Sequence, residues 1–197
     1  MCSGGRGTLT LVIPNASNER PLIGILGGMG PEATADFYAK LIKATPAATD
    51  QEHLKVMIWA DPSVPDRSKA IAGNGEDPVP SLVNGVQKLA EAGAAFYVVA
   101  CNSAHAFLPE VRQQVDLDYL SIIEETADHI SSLTHVKHVG LLATDATLDS
   151  RLYQDALRGA GVETLTPSSE DQQTVMASIY AVKGGALSEE DRSSLVG

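Results

Sequence analysis

Short apolar runs recur along this chain, each closed by a glycine-rich or polar turn and followed by a stretch of helical periodicity. Leu22 to Leu26 is the first run, closed by Gly27-Gly28-Met29-Gly30-Pro31, and Pro31 suits the first turn of a helix over Glu32 to Thr45. Lys55 to Ala60 is the second, followed by the loop Asp61 to Arg67; the loop Gly73 to Pro78 then leads into a helix over Val79 to Ala92. A third run from Ala94 stops at Cys101, and a helix ends near Val115. Tyr119 to Ile122 reads as a fourth strand, ahead of a helix from Glu124 to Leu133. His138 to Ala143 is the fifth, with the turn Thr144-Asp145-Ala146-Thr147 and a helix to about Arg158 that Gly159-Ala160-Gly161 ends. Val162 to Leu165 is the sixth, and Ser168-Ser169-Glu170-Asp171 has N-cap character for a last helix reaching Val182. Strand, turn and helix repeated in this way specify an α/β fold, a parallel sheet with helices on both faces.

In a parallel sheet every strand-to-helix turn lies on the same edge. Gly27–Pro31, Asp61–Arg67, Cys101–His105 and Thr144–Thr147 should therefore converge on one crevice, gathering amides, a guanidinium, a thiol and hydroxyls around a small polar ligand. The run Ala94-Ala95-Phe96-Tyr97-Val98-Val99-Ala100 has the β-branched, apolar character of a buried strand. Most free cysteines are small buried hydrophobes. Cys101 differs in standing at a strand end with Asn102 and Ser103 directly after it, poor core material but good ligand donors.

Composition narrows the function classes. With 197 residues and 44% hydrophobic content the chain can bury a core and make one or two domains. Its formal charge of -11 and the lack of a basic cluster argue against nucleic acid or an anionic membrane as a partner. Two cysteines, Cys2 and Cys101, give no disulfide framework and fit a reducing cytoplasmic setting. No apolar run approaches the roughly 20 residues needed to span a bilayer. The run Leu9-Thr10-Leu11-Val12-Ile13 is too short for a signal h-region, so residues 1–21 are set aside as a poorly ordered extension. His129, His135 and His138 lack metal-ligand spacing, and no metal is expected.

Four ordered motifs carry a resemblance: Gly24-Ile25-Leu26-Gly27-Gly28-Met29-Gly30-Pro31, Pro65-Asp66-Arg67, Ala100-Cys101-Asn102-Ser103-Ala104-His105 and Leu141-Leu142-Ala143-Thr144. Together they resemble the aspartate/glutamate racemase family, over about residues 22 to 187. The resemblance implies two similar doubly wound α/β domains, here residues 22–117 and 118–197, related by a pseudo-twofold with the active site in the cleft between them. It also implies racemisation of a small acidic amino acid, no cofactor, and a homodimer. One cysteine from each domain would flank the α-carbon, one removing the proton and the other returning one from the opposite face. By resemblance Cys101 is the catalytic thiol, Arg67 and Lys183 are basic substrate-binding positions, and Asn102 and Ser103 match the residues that follow the thiol. Ser103 stands where the family more often has threonine, and the hydroxyl is kept.

The chemistry needs these residue types. An α-proton is weakly acidic, so the base must be strong and close, and a thiolate serves if donors or cations lower a pKa of about 8.5. Inversion needs groups on both faces. Charge developing on the carboxylate must meet cations and donors. A guanidinium such as that of Arg67 can clasp a carboxylate with two parallel bonds.

Each choice has a plainer alternative. Arg67 would also suit a loop surface, and Lys183, before Gly184-Gly185, would also suit a helix C-terminus. Met29 is a candidate substrate neighbour or a gap-filler. His105 lies one helical turn past Cys101, where it could tune the thiol but more often bonds structurally; Thr144 is a second candidate for tuning.

One departure from the family pattern stands out. The second cysteine usually lies in a Gly-Cys-Thr-Glu type segment, and this sequence has none. The offset that carries Gly24-Ile25-Leu26 onto Gly140-Leu141-Leu142 also carries Arg67 onto Lys183, and it would carry Cys101 beyond Gly197. The expectation is a second domain cut short before its acid/base group, leaving a racemase of doubtful activity. The alternatives are a relic that binds acidic amino acids without turnover, or a single-thiol decarboxylase or isomerase of a dicarboxylate.

Overall fold

The structure is a computed structural model that describes residues 20–184. Nearly all of the expected N-terminal extension, Cys2 and the Leu9 to Ile13 run lie outside the described residues. The elements alternate as the periodicity indicates: β1 (Leu22–Gly27), α1 (Pro31–Ala44), β2 (Lys55–Ala60), α2 (Arg67–Ile71), α3 (Val79–Glu91), β3 (Ala94–Val99), α4 (Leu108–Gln114), β4 (Tyr119–Leu120) and α5 (Ile122–Ser132). They continue as β5 (His138–Gly140), α6 (Asp145–Asp149), α7 (Leu152–Gly159), β6 (Glu163–Leu165) and α8 (Ser169–Lys183). The first four strands form one parallel sheet in the order β2-β1-β3-β4, and β5 pairs with β6 in a second, also parallel.

Alternation along β1 assigns its faces. Gly24 lies against Leu89 of α3, whereas Gly27, on the opposite face, lies against Thr34 of α1. One sheet is thus covered from both sides; β1 is buried nearly throughout, and β3 is buried from Tyr97 to Val99. Leu82, Val86 and Leu89 present one fully buried stripe of α3 to it, and each such side chain contributes about 1.5–3 kcal/mol of transfer free energy. A second core gathers Ile123, Ala127, Tyr153, Leu157 and Val162 under β5 and β6.

Several boundaries differ from expectation for physical reasons. Just past residue 118, β4 hydrogen-bonds to β3, and Tyr119 packs on the first core. The change of core falls at Ser121, whose side chain caps α5 by accepting from the Glu124 amide. The fifth strand stops at Gly140 rather than Ala143, pairing three residues with β6, with one further bond from the Leu141 amide to Leu165 O at 2.8 Å. The helix expected to run to Arg158 is broken into α6 and α7 at Arg151, which sits in the left-handed region at φ 56°. Ser168 caps α8 as its sequence suggests, accepting from the Asp171 amide.

Candidate active site

Beyond β3 the chain is still tied to the sheet, since the Ala100 amide donates to Leu26 O at 3.1 Å. Cys101 follows, half-buried, with its Sγ 3.6 Å from Ser103 Oγ. A single 3-10 turn, Ser103–Ala106, buries Ser103 and His105 and leaves Asn102 exposed at the mouth. His105 turns away from the thiol. Its Nδ1 lies 2.9 Å from Cys101 O, and its Nε2 accepts from the Ile122 amide at 3.3 Å, so the neutral ring carries its proton on Nδ1. Burial holds its pKa below the ordinary histidine value, although the backbone bonds at Cys101 and Asn102 pull the other way.

The glycine-rich turn after β1 forms the facing wall. Gly28 has φ 88° and approaches the Asp61 backbone so closely that a Cβ would collide with it. Its amide donates to Thr34 Oγ1 at 2.9 Å, which fixes the turn against α1. Pro31 opens α1 without an amide to satisfy, and Gly30 provides no side-chain cap. The first-turn amides of Glu32 and Ala33 are therefore left for another acceptor, at the positive end of a 14-residue helix.

A cleft of about 360 Å³ lies between these walls and the second sheet. Met29, Cys101, Asn102, Ser103, Thr144 and Lys183 all line it, as do Leu142, Ile179 and Val182. Lys183 is the one cation among the described residues of the lining, with its Nζ 5.3 Å from the centre of the Tyr180 ring. Thr144 Oγ1 caps α6 by accepting from the Thr147 amide, so its hydroxyl is already engaged. A larger depression of about 620 Å³ beside α7 and β6 holds Arg151 and Arg158 but no thiol.

Arg67 stands apart from this lining. It opens α2 rather than closing a loop, and its guanidinium donates to Val64 O and Pro65 O at 2.7 Å each and to Met29 O at 3.4 Å. These bonds tie the turn after β2 to the turn after β1. Neighbouring Asp66 feels burial, which raises its pKa. The amides of Lys69 and Ser68 and the charges of Arg67 and Lys183 outweigh that and hold it below the usual carboxylate range.

Three contributors carry no mark in the motifs. Tyr153 of α7 donates from Oη to Asn102 Oδ1 at 2.6 Å, a link between residues far apart in sequence with no local signal. Ile179 and Val182 do carry one: with Lys183 they recur at i, i+3, i+4 and share one face of α8. Among the described residues, no group of three His, Cys, Asp or Glu could hold a metal, and no helix is long and apolar enough to cross a membrane.

A thiol, an amide and hydroxyls delivered to one crevice by parallel strand ends, with an ammonium opposite, define an open α/β protein built to hold a small polar ligand. The family model described as Asp/Glu/hydantoin racemase matches residues 26–195, and the chain belongs to that family. It is similar to the broad specificity amino-acid racemase RacX of Bacillus subtilis, 32% identical over 167 residues that cover 82% of this chain and 71% of that protein. The structure of Picrophilus torridus aspartate racemase superposes with a TM-score of 0.80 at 35% identity, covering 89% of this chain and 73% of that one. A glutamate racemase of Aquifex aeolicus is 34% identical over 76 residues, 38% of this chain and 30% of its own length.

Proposed function

We propose that the cleft binds a small acidic amino acid and that Cys101 exchanges its α-proton, one half of a cofactor-independent racemisation. The observation that carries this reading is that Cys101 and Lys183 line one cleft at the carboxyl ends of β1 and β3. The Cys101 thiolate takes the α-proton, so that an S–H bond forms as the Cα–H bond breaks. The electron pair moves onto the substrate carboxylate as an enolate, where Lys183 meets the growing charge. The free amides of Glu32 and Ala33 receive the second carboxylate, which favours aspartate or glutamate over a neutral side chain. Asn102 and Ser103 orient the thiol and the substrate beside it. Arg67 acts through the Met29 turn.

Membership of a racemase family supports the reaction class, and likeness to an aspartate racemase supports the substrate class. Inversion requires a second acid/base group on the other face of the α-carbon. By resemblance that group is a cysteine; of the two in the sequence, Cys2 lies outside the described residues. A lone strand-end thiol favours a second reading, a single-thiol decarboxylase or isomerase acting on a dicarboxylate.

The test is iodoacetamide labelling of Cys101 with and without L-aspartate, alongside Lys183→Gln. Aspartate should slow labelling of the parent protein, and the substitution should remove most of that protection. Labelling unaffected by aspartate, or protection untouched by Lys183→Gln, would contradict the proposed site.

A further inference from the structure

An acidic amino acid brings three charged groups into the cleft, two carboxylates and an α-ammonium. The Lys183 ammonium and the first-turn amides of α1 answer the carboxylates, and neither can answer the cation. An ammonium that enters a cleft without a partner forfeits solvation for nothing, so the site needs an acceptor for it. Glu32, in the first turn of α1, is the one carboxylate among the described residues of the lining, as Lys183 is the one cation. It is exposed, and it stands where the helix dipole favours a negative charge.

The other side-chain oxygens of the lining are already engaged. Thr144 Oγ1 accepts from the Thr147 amide, Asn102 Oδ1 accepts from Tyr153 at 2.6 Å, and Ser103 Oγ lies 3.6 Å from Cys101 Sγ. They are also neutral, and a hydrogen bond that joins ionised groups is roughly twice as strong as one between neutral groups.

We propose that the Glu32 side chain holds the substrate's α-ammonium and thereby selects amino acids over dicarboxylic acids that lack the amine. The inference rests on the reading of the cleft as an acidic amino-acid site with Cys101 as its base. In aspartate the ammonium and the side-chain carboxylate stand on adjacent carbons. One residue can therefore meet both, the Glu32 amide receiving the carboxylate and the Glu32 side chain the ammonium beside it. Charges then alternate from Lys183 through the α-carboxylate and the ammonium to Glu32, and the cation offsets the repulsion between Glu32 and the second carboxylate. A dicarboxylic acid without the amine meets that repulsion uncompensated. The contact also serves proton removal, because an ammonium draws electron density from the α-carbon and a bonded carboxylate favours its protonated form.

The probes are L-aspartate and succinate, which has the same carbon chain and carboxylates but no amine. Each is titrated as a protector of Cys101 against iodoacetamide, in the full chain and in Glu32→Gln, which keeps the backbone amide and the side-chain shape. In the parent, aspartate should protect at about tenfold lower concentration than succinate. Glu32→Gln should raise the aspartate concentration needed about tenfold and leave succinate at least as effective, which removes the preference. Glu32→Lys should reverse it. If aspartate protects the parent but the preference survives in Glu32→Gln, or both probes weaken equally there, the assignment of Glu32 is overturned and the acidic amino-acid site stands without it. If neither probe protects the parent, the site itself is contradicted, and the assignment falls with it.

Discussion

Tyr153 and Asn102 join the two halves of the molecule at the thiol. The phenol of α7, rooted in the second core, donates to the side chain beside Cys101, rooted in the first, at 2.6 Å. Tyr153 is only 9% exposed, so its ring is held by packing and its hydroxyl is aimed by that packing. The position of Asn102 therefore depends on how the second sheet sits against the first.

Tyr153→Phe keeps the ring and removes the bond. Stability should fall by about 0.5–1.5 kcal/mol, the net worth of one hydrogen bond, read from the urea midpoint. Aspartate protection of Cys101 from iodoacetamide should weaken by more than that loss of stability explains. Full protection in the variant would show that Asn102 needs no such anchor.

Arg67→Lys should act mainly on the fold. The variant loses the fork that reaches the carbonyls of Val64, Pro65 and Met29, and stability should fall by about 1–3 kcal/mol. Aspartate binding, followed by calorimetry, should weaken less than it does in Lys183→Gln. If Arg67→Lys weakens binding more than Lys183→Gln does, Arg67 is a direct carboxylate ligand.

The His105 ring must be neutral to accept from Ile122 while donating to Cys101 O. Its folded pKa lies below the unfolded value of about 6.5, so the unfolded chain binds the proton more readily. The stability from this group is complete above the unfolded pKa and is lost as the pH falls from there through the lower folded value. Urea midpoints between neutral and mildly acidic pH should show that decline, and His105→Gln, which cannot titrate, should flatten it. A decline of unchanged size in the variant would place its origin in the carboxylates.

What could be read beforehand was what local chemistry decides. A β-branched run that stops at a cysteine and an asparagine marks a strand end, and Ser168 ahead of two acidic residues marks a helix start. Parallel topology then brings Met29, Cys101 and Thr144 to one cleft. Tertiary partners decided the rest. Nothing near Ser150 or Arg151 is a glycine or proline, so the break between α6 and α7 is invisible locally. The direction of the Arg67 side chain depends on carbonyls made available by another turn, and the Tyr153 bond spans the two cores.

The central claim is that the Cys101 thiol moves the α-proton, and exchange with solvent tests it most directly. L-Aspartate incubated with the protein in heavy water is followed by NMR for α-deuteration and by optical rotation for inversion. The account predicts α-deuteration that disappears in Cys101→Ser, with rotation retained wherever Cys101 acts alone. Deuteration that persists at the same rate in Cys101→Ser would contradict it.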